Sequence, residues 1–447
     1  MKETNLTEGP IFKKLISFSL PMIAGNLLQQ VYNLVDTLIV GRCLGASALA
    51  AVGSAYTLMI FITSIIIGLC MGSGAFFSSD YGSGSETALR EDVFLSFVFI
   101  AAVSVIINVI VYPAMNLIMA ALQTPEELLG LTRDYVSVIF AGIIFVFLYN
   151  FFAYLLRSLG NSFIPLVFLA ISSVINIVLD IWFVISLDMG VSGAALATVI
   201  AQAFSGIGIT AYSLLRVPFL RKFSAENLHF NRRRFVEIVE NDFSTGLQQS
   251  VMNFGILMIQ GLVNSFGSVI MAAFAAAVKI DTLAYMPAQE FGNAYSLFVS
   301  QNHGANRKER IRKGTRISLI TSASFCLAVS AFIICLADKL MELFIKASET
   351  DIISAGATYL RIEGACYVGI GILFLMYGYF RGVNRPGVSL ILTIISLGTR
   401  VLLSYALAPA TPLGVIAIWL SIPIGWFLAD AVGYVFYRRR NVQGKEL

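Results

Sequence analysis

Charge is scarce in this chain. Of its 447 residues, 13% are Asp, Glu, Lys or Arg, against roughly 25% in an ordinary soluble domain. Histidine is scarcer: His229 and His303 are the only two, both in polar stretches, so no histidine metal centre or catalytic triad can be assembled. The five cysteines, Cys43, Cys70, Cys326, Cys335 and Cys366, lie in or beside apolar stretches without CxxC spacing, which excludes a disulfide framework or thiolate metal site. No P-loop lysine motif or glycine-rich nucleotide fingerprint occurs, so ATP is not the expected energy source. Residues 1–10 are polar and no small-residue cleavage site precedes the first apolar run, so no cleaved leader is expected. These absences together predict a chain that is not an enzyme, needs no cofactor and binds no nucleic acid.

What is abundant is apolar. Hydrophobic residues make up 57% of the chain, and the mean hydropathy is +0.82. A helix crosses a bilayer in about 20 mainly apolar residues, and breaks at charged or Gly/Pro/Asn-rich points divide the sequence into twelve such stretches. The first half holds 14–42, 49–79, 91–119, 127–156, 163–187 and 191–216. The second holds 237–266, 269–301, 315–337, 350–380, 386–408 and 412–437. The expected fold class is an all-α polytopic membrane protein of two six-helix lobes, 1–216 and 235–447, joined by a basic cytoplasmic linker at 217–234.

Charge placement sets the orientation. With both termini inside, only Arg42, Arg133, Lys339 and Lys346 fall in outer loops. Lys279, Arg361 and Arg400 fall at membrane depth, and the rest of the 30 Lys and Arg lie inside. That bias is strongly positive-inside and predicts cytoplasmic termini in a cytoplasmic (inner) membrane.

The halves echo one another. Leu28-Gln29-Gln30 recurs as Leu247-Gln248-Gln249. Asp80-Tyr81-Gly82-Ser83-Gly84 is answered by Gln301-Asn302-His303-Gly304-Ala305, and Arg157-Ser158-Leu159-Gly160-Asn161 by Arg381-Gly382-Val383-Asn384-Arg385. Six helices per half is an even number, so both halves insert the same way up, as a parallel repeat with a pseudo-two-fold along the membrane normal. Such repeats are the mark of transporters that work by alternating access.

Two carboxylates stand out. Asp36 and Asp180 lie in highly apolar stretches, and no Lys or Arg lies at membrane depth in the same half. Buried ionisable groups of this kind are costly and mark function by default. At a rise of about 1.5 Å per residue, Asp36 and Asp180 lie roughly 9–10 Å below the outer ends of their helices. Asn176, one turn from Asp180, Thr198 and Tyr135 share that approximate depth. Carboxylate, amide and hydroxyl oxygens suit Na⁺, here at Asp36, Asn176, Asp180 and Thr198, while two desolvated like-charged carboxyls suit H⁺. Pro21, with neighbouring Gly25, supplies a candidate hinge in the helix that carries Asp36. In the second half Lys279, Asp281, Arg361, Glu363 and Arg400 fall at comparable depth and nearly balance, which predicts an ion-pair network. Glu290 has no evident partner and is a candidate for a second protonation site.

These residues, in order, carry a resemblance. Pro21-Met22-Ile23, Asn33-Leu34-Val35-Asp36-Thr37, Val40-Gly41-Arg42, Arg157-Ser158-Leu159-Gly160-Asn161, Asn176-Ile177-Val178-Leu179-Asp180, Gly193-Ala194-Ala195-Leu196-Ala197-Thr198, Gln301-Asn302-His303-Gly304-Ala305 and Arg381-Gly382 are each short. On twelve spans they make the chain similar, over essentially its whole length, to the multidrug and toxic compound extrusion (MATE) transporters. The resemblance implies a monomeric antiporter that exports cationic amphiphilic organic compounds in exchange for H⁺ or Na⁺. It also implies a cation site at Asp36, Asn176, Asp180, Thr198 and Tyr135. The stretch Gly246–Phe266 has no acid, which makes the chain more similar to the DinF-like branch, with coupling in the first lobe. The alternative is a lipid-linked oligosaccharide or polysaccharide flippase of the same superfamily, for which Lys279, Arg361 and Arg400 would supply cationic contacts.

Overall fold

A computed structural model describes residues 5–121, 125–221 and 230–442. The described residues are 88% helical, and no strand occurs among them. In hydrocarbon every backbone N–H and C=O must be satisfied within the segment, and the helix does this. The first half forms α1 (Ile11–Cys43), α2 (Ala46–Ser83), α3 (Glu86–Val111), α4 (Met115–Ala121), α5 (Leu129–Ala141), α6 (Ile143–Ser158), α7 (Phe163–Asp180), α8 (Gly190–Arg216) and the short α9 (Pro218–Arg221). The second forms α10 (Arg232–Asn264), α11 (Ser268–Gly304), α12 (Lys308–Glu342), α13 (Thr350–Gly364), α14 (Tyr367–Gly382), α15 (Pro386–Leu407) and α16 (Val415–Val442).

Among the described residues, nine helices are singly long and apolar enough to cross a membrane. Two more spans are bent pairs, one ending in α5 and α6 (43°) and one made of α13 and α14 (53°). At both bends the chain closes with an i→i−3 bond, Gly142 N–H to Ile139 O (3.0 Å) and Cys366 N–H to Glu363 O (2.8 Å). The remaining long helix, α10, carries Arg232–Arg234, Glu237, Glu240 and Asp242 in its first turns, which lowers its hydropathy. The stretch expected as one helix over 91–119 is interrupted between α3 and α4, because Pro113 has no N–H to bond back into the preceding turn. The linker expected at 217–234 is helical at both ends, in α9 and in the start of α10. Its middle, residues 222–229 with His229, lies outside the described residues. His303 is in the last turn of α11 rather than in a loop.

The chain condenses into two units. One comprises Met1–Asn5 and Leu20–Gly246, the other Leu6–Ser19 and Leu247–Leu447. The grouping therefore differs from the sequence division at 216 and 235: α1 changes unit beside Pro21, and α10 changes unit after Gly246.

Within the first unit, α2 packs against α3, α5 and α6, and α8 against α6 and α7. The start of α10 is fixed to the end of α2 and the start of α3 by Arg234. Its Nε and Nη2 donate to the two oxygens of Asp92 at 2.8 and 2.6 Å, Nη2 also reaches Asp80 at 3.4 Å, and the guanidinium lies over the Phe76 ring. Asp92 is fully buried, and a bidentate arginine is the strongest partner a carboxylate can have. About two turns on, Ser73 donates to the buried Asp242. Here α2 presents Gly68 and Gly72, four apart on one face, to α10. A Cβ on Gly68 would stand 2.5 Å from Gly246 Cα, and one on Gly72 would stand 2.8 Å from Asp242 Cα. Small residues at this spacing let two helix backbones approach.

Within the second unit the equivalent inner ends hold the segment leading into α1. Gln301 accepts from Leu6 N–H (3.0 Å), Asn302 donates to Leu6 O (3.3 Å), Arg310 donates to the carbonyls of Leu6, Glu8 and Gly9, and Arg307 to that of Thr7. Leu6 is fully buried as a result. α11 and α14 approach closely, where Gly378 lies against Gly292 O and Gly382 against Ser296 O. Phe274, Tyr359 and Trp419 pack edge and face beside α13 and α16.

The crossing of α2 and α10 predicts a contrast inside one helix. Gly68→Ala overpacks a backbone contact and should lower stability by about 1–3 kcal/mol. Gly53→Ala, with nothing within 4 Å of its new methyl, should be neutral or gain up to about 1 kcal/mol. Melting of the two purified proteins in detergent tests this, and equal melting temperatures would refute the crossing as described.

Candidate functional site

The sequence-predicted carboxylates meet. Asp36 sits near the C-terminal end of α1. Asp180 is the last residue of α7 and is fully buried. Immediately after it the helix widens into a π-type turn, Ile181–Ser186, an irregularity found preferentially at functional positions. The carboxyls of Asp36 and Asp180 are in hydrogen-bonding contact with each other. Yet no protein donor reaches either oxygen of Asp180 or Oδ1 of Asp36.

The other predicted members gather around them. Asn176, one turn back on α7, donates to Thr198 Oγ1 on α8 at 3.4 Å, and Thr198 in turn donates to Ala194 O at 3.1 Å. That leaves Asn176 Oδ1 buried without a donor. Tyr135 on α5 is 3% exposed and within electrostatic range of both aspartates. Two residues absent from the sequence-level set join them. Tyr32 lies one turn before Asp36 on α1, and Tyr56 on α2 accepts from Asn33 Nδ2 at 3.3 Å; both feel the charge of Asp36. Tyr32 has a signal in the sequence, its i, i+4 spacing to Asp36. Tyr56 has none, because only the packing of α2 on α1 brings it near. A cavity of about 170 Å³ in this unit reaches Asn176 and Thr198 from Gln29, Asn33 and Asn150.

Four buried oxygens without a protein donor are unusual, since buried polar groups are nearly always paired. Two carboxyls in contact need something between them: a proton, or a hard cation of the kind that oxygen ligands prefer. The set Asp36, Asp180, Asn176 and Thr198 fits either. No cluster of three or more His, Cys, Asp or Glu suited to a metal occurs among the described residues.

The hinge candidates lie on an unbroken helix. α1 runs through Pro21 as one 33-residue element, and Pro21 stands next to the point where α1 changes unit. Gly25 faces α7, where an added Cβ would meet Leu169 and Leu166 at ordinary contact distances of 3.6 and 3.7 Å.

The second-half residues assort differently from their expected network. Asp281, Glu363 and Arg400 are buried together, but Lys279 is exposed and Arg361 is exposed and bound to Asp338 on α12. Lys279 and Arg361 each stand two residues from the acid expected to share their cluster, on the opposite helix face. Asp281 is held by Tyr367 OH at 2.7 Å and Tyr359 OH at 3.4 Å, not by an arginine. Glu290, expected without a partner, accepts from Asn293 Nδ2 at 3.3 Å, and Asn293 accepts from Arg381 at 3.0 Å.

Set beside known proteins, the chain matches the MatE family model twice, over residues 21–182 and again over 245–406. It is 29% identical over 444 residues to the Probable multidrug resistance protein YpnP of Bacillus subtilis (strain 168), covering 98% of this chain and 97% of that one. It is 26% identical to the Probable multidrug resistance protein NorM of Thermotoga maritima, covering 92% and 89%. Its fold superposes on the outward-facing conformation of a multidrug resistance MATE family transporter of the MOP superfamily with a TM-score of 0.92, at 25% identity, covering 100% and 99% of the two chains. With one family pattern repeated along most of its length, this all-α integral membrane protein belongs to the MATE family and is a transporter, not an enzyme.

Proposed function

We propose that this chain is a secondary antiporter of the cytoplasmic membrane, with both termini cytoplasmic, that exports cationic amphiphilic compounds in exchange for H⁺ or Na⁺. One observation carries the coupling: Asp36 and Asp180 are in contact, and no protein group donates to Asp180 or to Asp36 Oδ1. When a proton or Na⁺ binds, the pair is held together and its charge is answered. When the ion leaves, like charges oppose each other in a medium of low dielectric constant, and that repulsion favours a different arrangement of the helices that carry them. Export follows if drug and ion favour opposite arrangements. Relatives named multidrug resistance proteins support the substrate class.

Coupling through the first half, as in the DinF-like branch, agrees with the composition of α10, whose second-unit part carries no acid. The flippase alternative needs several cations in one cavity. Arg361 is engaged by Asp338 and Lys279 is exposed, so of the three cations at membrane depth only Arg400 lines the second-unit cavity.

Two outcomes are expected. Asp36→Asn and Asp180→Asn should each lose ion-driven efflux of a fluorescent organic cation while still running as a monodisperse protein on gel filtration; wild-type efflux by either variant would sink the coupling role. In proteoliposomes, an imposed gradient of H⁺ or of Na⁺, tested separately, should drive uptake of the same cation. Uptake of equal rate with no gradient of either ion would refute antiport.

A further inference from the structure

Arg400 on α15 is a buried cation of the second unit. It is 9% exposed and lines a cavity of about 230 Å³. Among the described residues it makes no hydrogen bond and no ion pair, and its Nε is buried without an acceptor. A guanidinium carries five donors, and leaving them unanswered at membrane depth is costly.

The neighbouring acids do not answer them. Arg400 feels the charge of Asp281 and Glu363 but lies beyond ion-pair distance of both. Asp281 accepts from Tyr367 and Tyr359. The carboxyls of Asp281 and Glu363 are also in hydrogen-bonding contact with each other. Two carboxyls this close disfavour double ionisation, so the pair carries a single negative charge when it holds a proton. The cavity is thus close to neutral overall, with its fixed positive end on Arg400 and its negative end already engaged. Aromatic rings of Tyr285, Phe374, Tyr377 and Trp426 line other parts of the wall, together with aliphatic, hydroxyl and amide side chains.

We propose that this cavity is a second ligand site, in which Arg400 docks the carboxylate of an aromatic organic acid or zwitterion and the rings hold its apolar body. The planar guanidinium fork matches a carboxylate through two parallel hydrogen bonds, and aromatic walls accept a flat ring without demanding one particular scaffold. The consequence is that ligand recognition extends beyond cations. The proposal does not depend on ion coupling at Asp36, because binding to this site needs no gradient.

The test is equilibrium binding to the purified full-length protein in detergent, with 2-naphthoate, 2-naphthamide and 2-naphthylmethylammonium as probes of one shape and different charge. The wild type should bind the acid at least about tenfold more tightly than the amide, the discrimination expected of a charge-assisted pair. Arg400→Gln should lose that preference and favour the ammonium probe, because the Asp281–Glu363 pair then sets the sign of the cavity. A reversed preference cannot come from misfolding. Equal affinity for acid and amide in the wild type, or an Arg400→Gln protein that still prefers the acid, overturns the site. Should Arg400→Gln not fold, Arg400→Lys decides: it keeps the charge but not the fork, so the acid preference should fall several-fold, and an unchanged preference overturns the proposal.

Discussion

An unanswered charge in hydrocarbon is the constraint on which the rest of this structure turns. Most membrane-depth and membrane-edge polar groups here are answered locally. Arg234 closes on Asp92 and Asp80 at the start of α10. Arg307 and Arg310 close on the backbone carbonyls that precede α1. Arg381 is tied through Asn293 to Glu290. Other buried atoms among the described residues also go unanswered, Asp242 Oδ1 and Asp430 Oδ1 among them, but two places combine such atoms with a cavity and a neighbouring charge: the Asp36–Asp180 pair, which lacks donors, and Arg400, which lacks acceptors. Each lies beside or on a cavity of its own unit. Polar groups persist unpaired at membrane depth where a mobile species completes them, which is why ion coupling and a second ligand site are proposed at these two places.

The two sites are unlike although the halves are repeats. The two stretches that match the family model are of equal length. In the register of the motif that pairs Arg157 with Arg381, Ser404 answers Asp180 and Arg400 answers Asn176; in that of the motif that pairs Leu28 with Leu247, Gly255 answers Asp36. Ser404 bonds Ser421 at 2.8 Å. The second unit therefore has a glycine and a serine where the first has its two acids, and a cation where the first has an amide. Duplication supplied the scaffold twice, and side-chain chemistry made the copies different.

Much of this was legible from residue order alone, and the failures have a common cause. Long apolar stretches and the positions of charge gave the helices, because the bilayer enforces one solution for the backbone. Depth along a helix, at about 1.5 Å per residue, put Asp36, Asp180, Asn176, Thr198 and Tyr135 at one level, and the fold places them in one neighbourhood. Depth without azimuth misled in the second half. Lys279 and Asp281 are two residues apart, as are Arg361 and Glu363, and residues at that spacing face away from each other. The acids went inward and the cations outward. Glu290 needed a partner three residues on, Asn293, that depth alone did not select. Tyr56, and the burial of Asp242 against Ser73, depend on how α2 packs on α1 and α10, which no single helix records.

The two first helices of the repeat give the conserved logic of the inner ends a physical meaning. α1 and α10 are the helices whose residues divide between units, at Ser19/Leu20 and at Gly246/Leu247. Each division falls where the backbone is unusual: Pro21 removes one intrahelical bond, and Gly246 lets α2 come within backbone contact. The two recurrent inner motifs serve as the receiving surfaces. Asp80 with Asp92 grips the start of α10 by a guanidinium, and Gln301 with Asn302 grips the segment before α1 by its backbone. Asp36 lies roughly 22 Å along the rise of α1 from Pro21, with intact helix between them. A helix transmits rotation and tilt over such a span far better than a loop would. Under the proposed coupling, an ion that rearranges Asp36 against Asp180 acts on a continuous helix that divides between the two units beside Pro21.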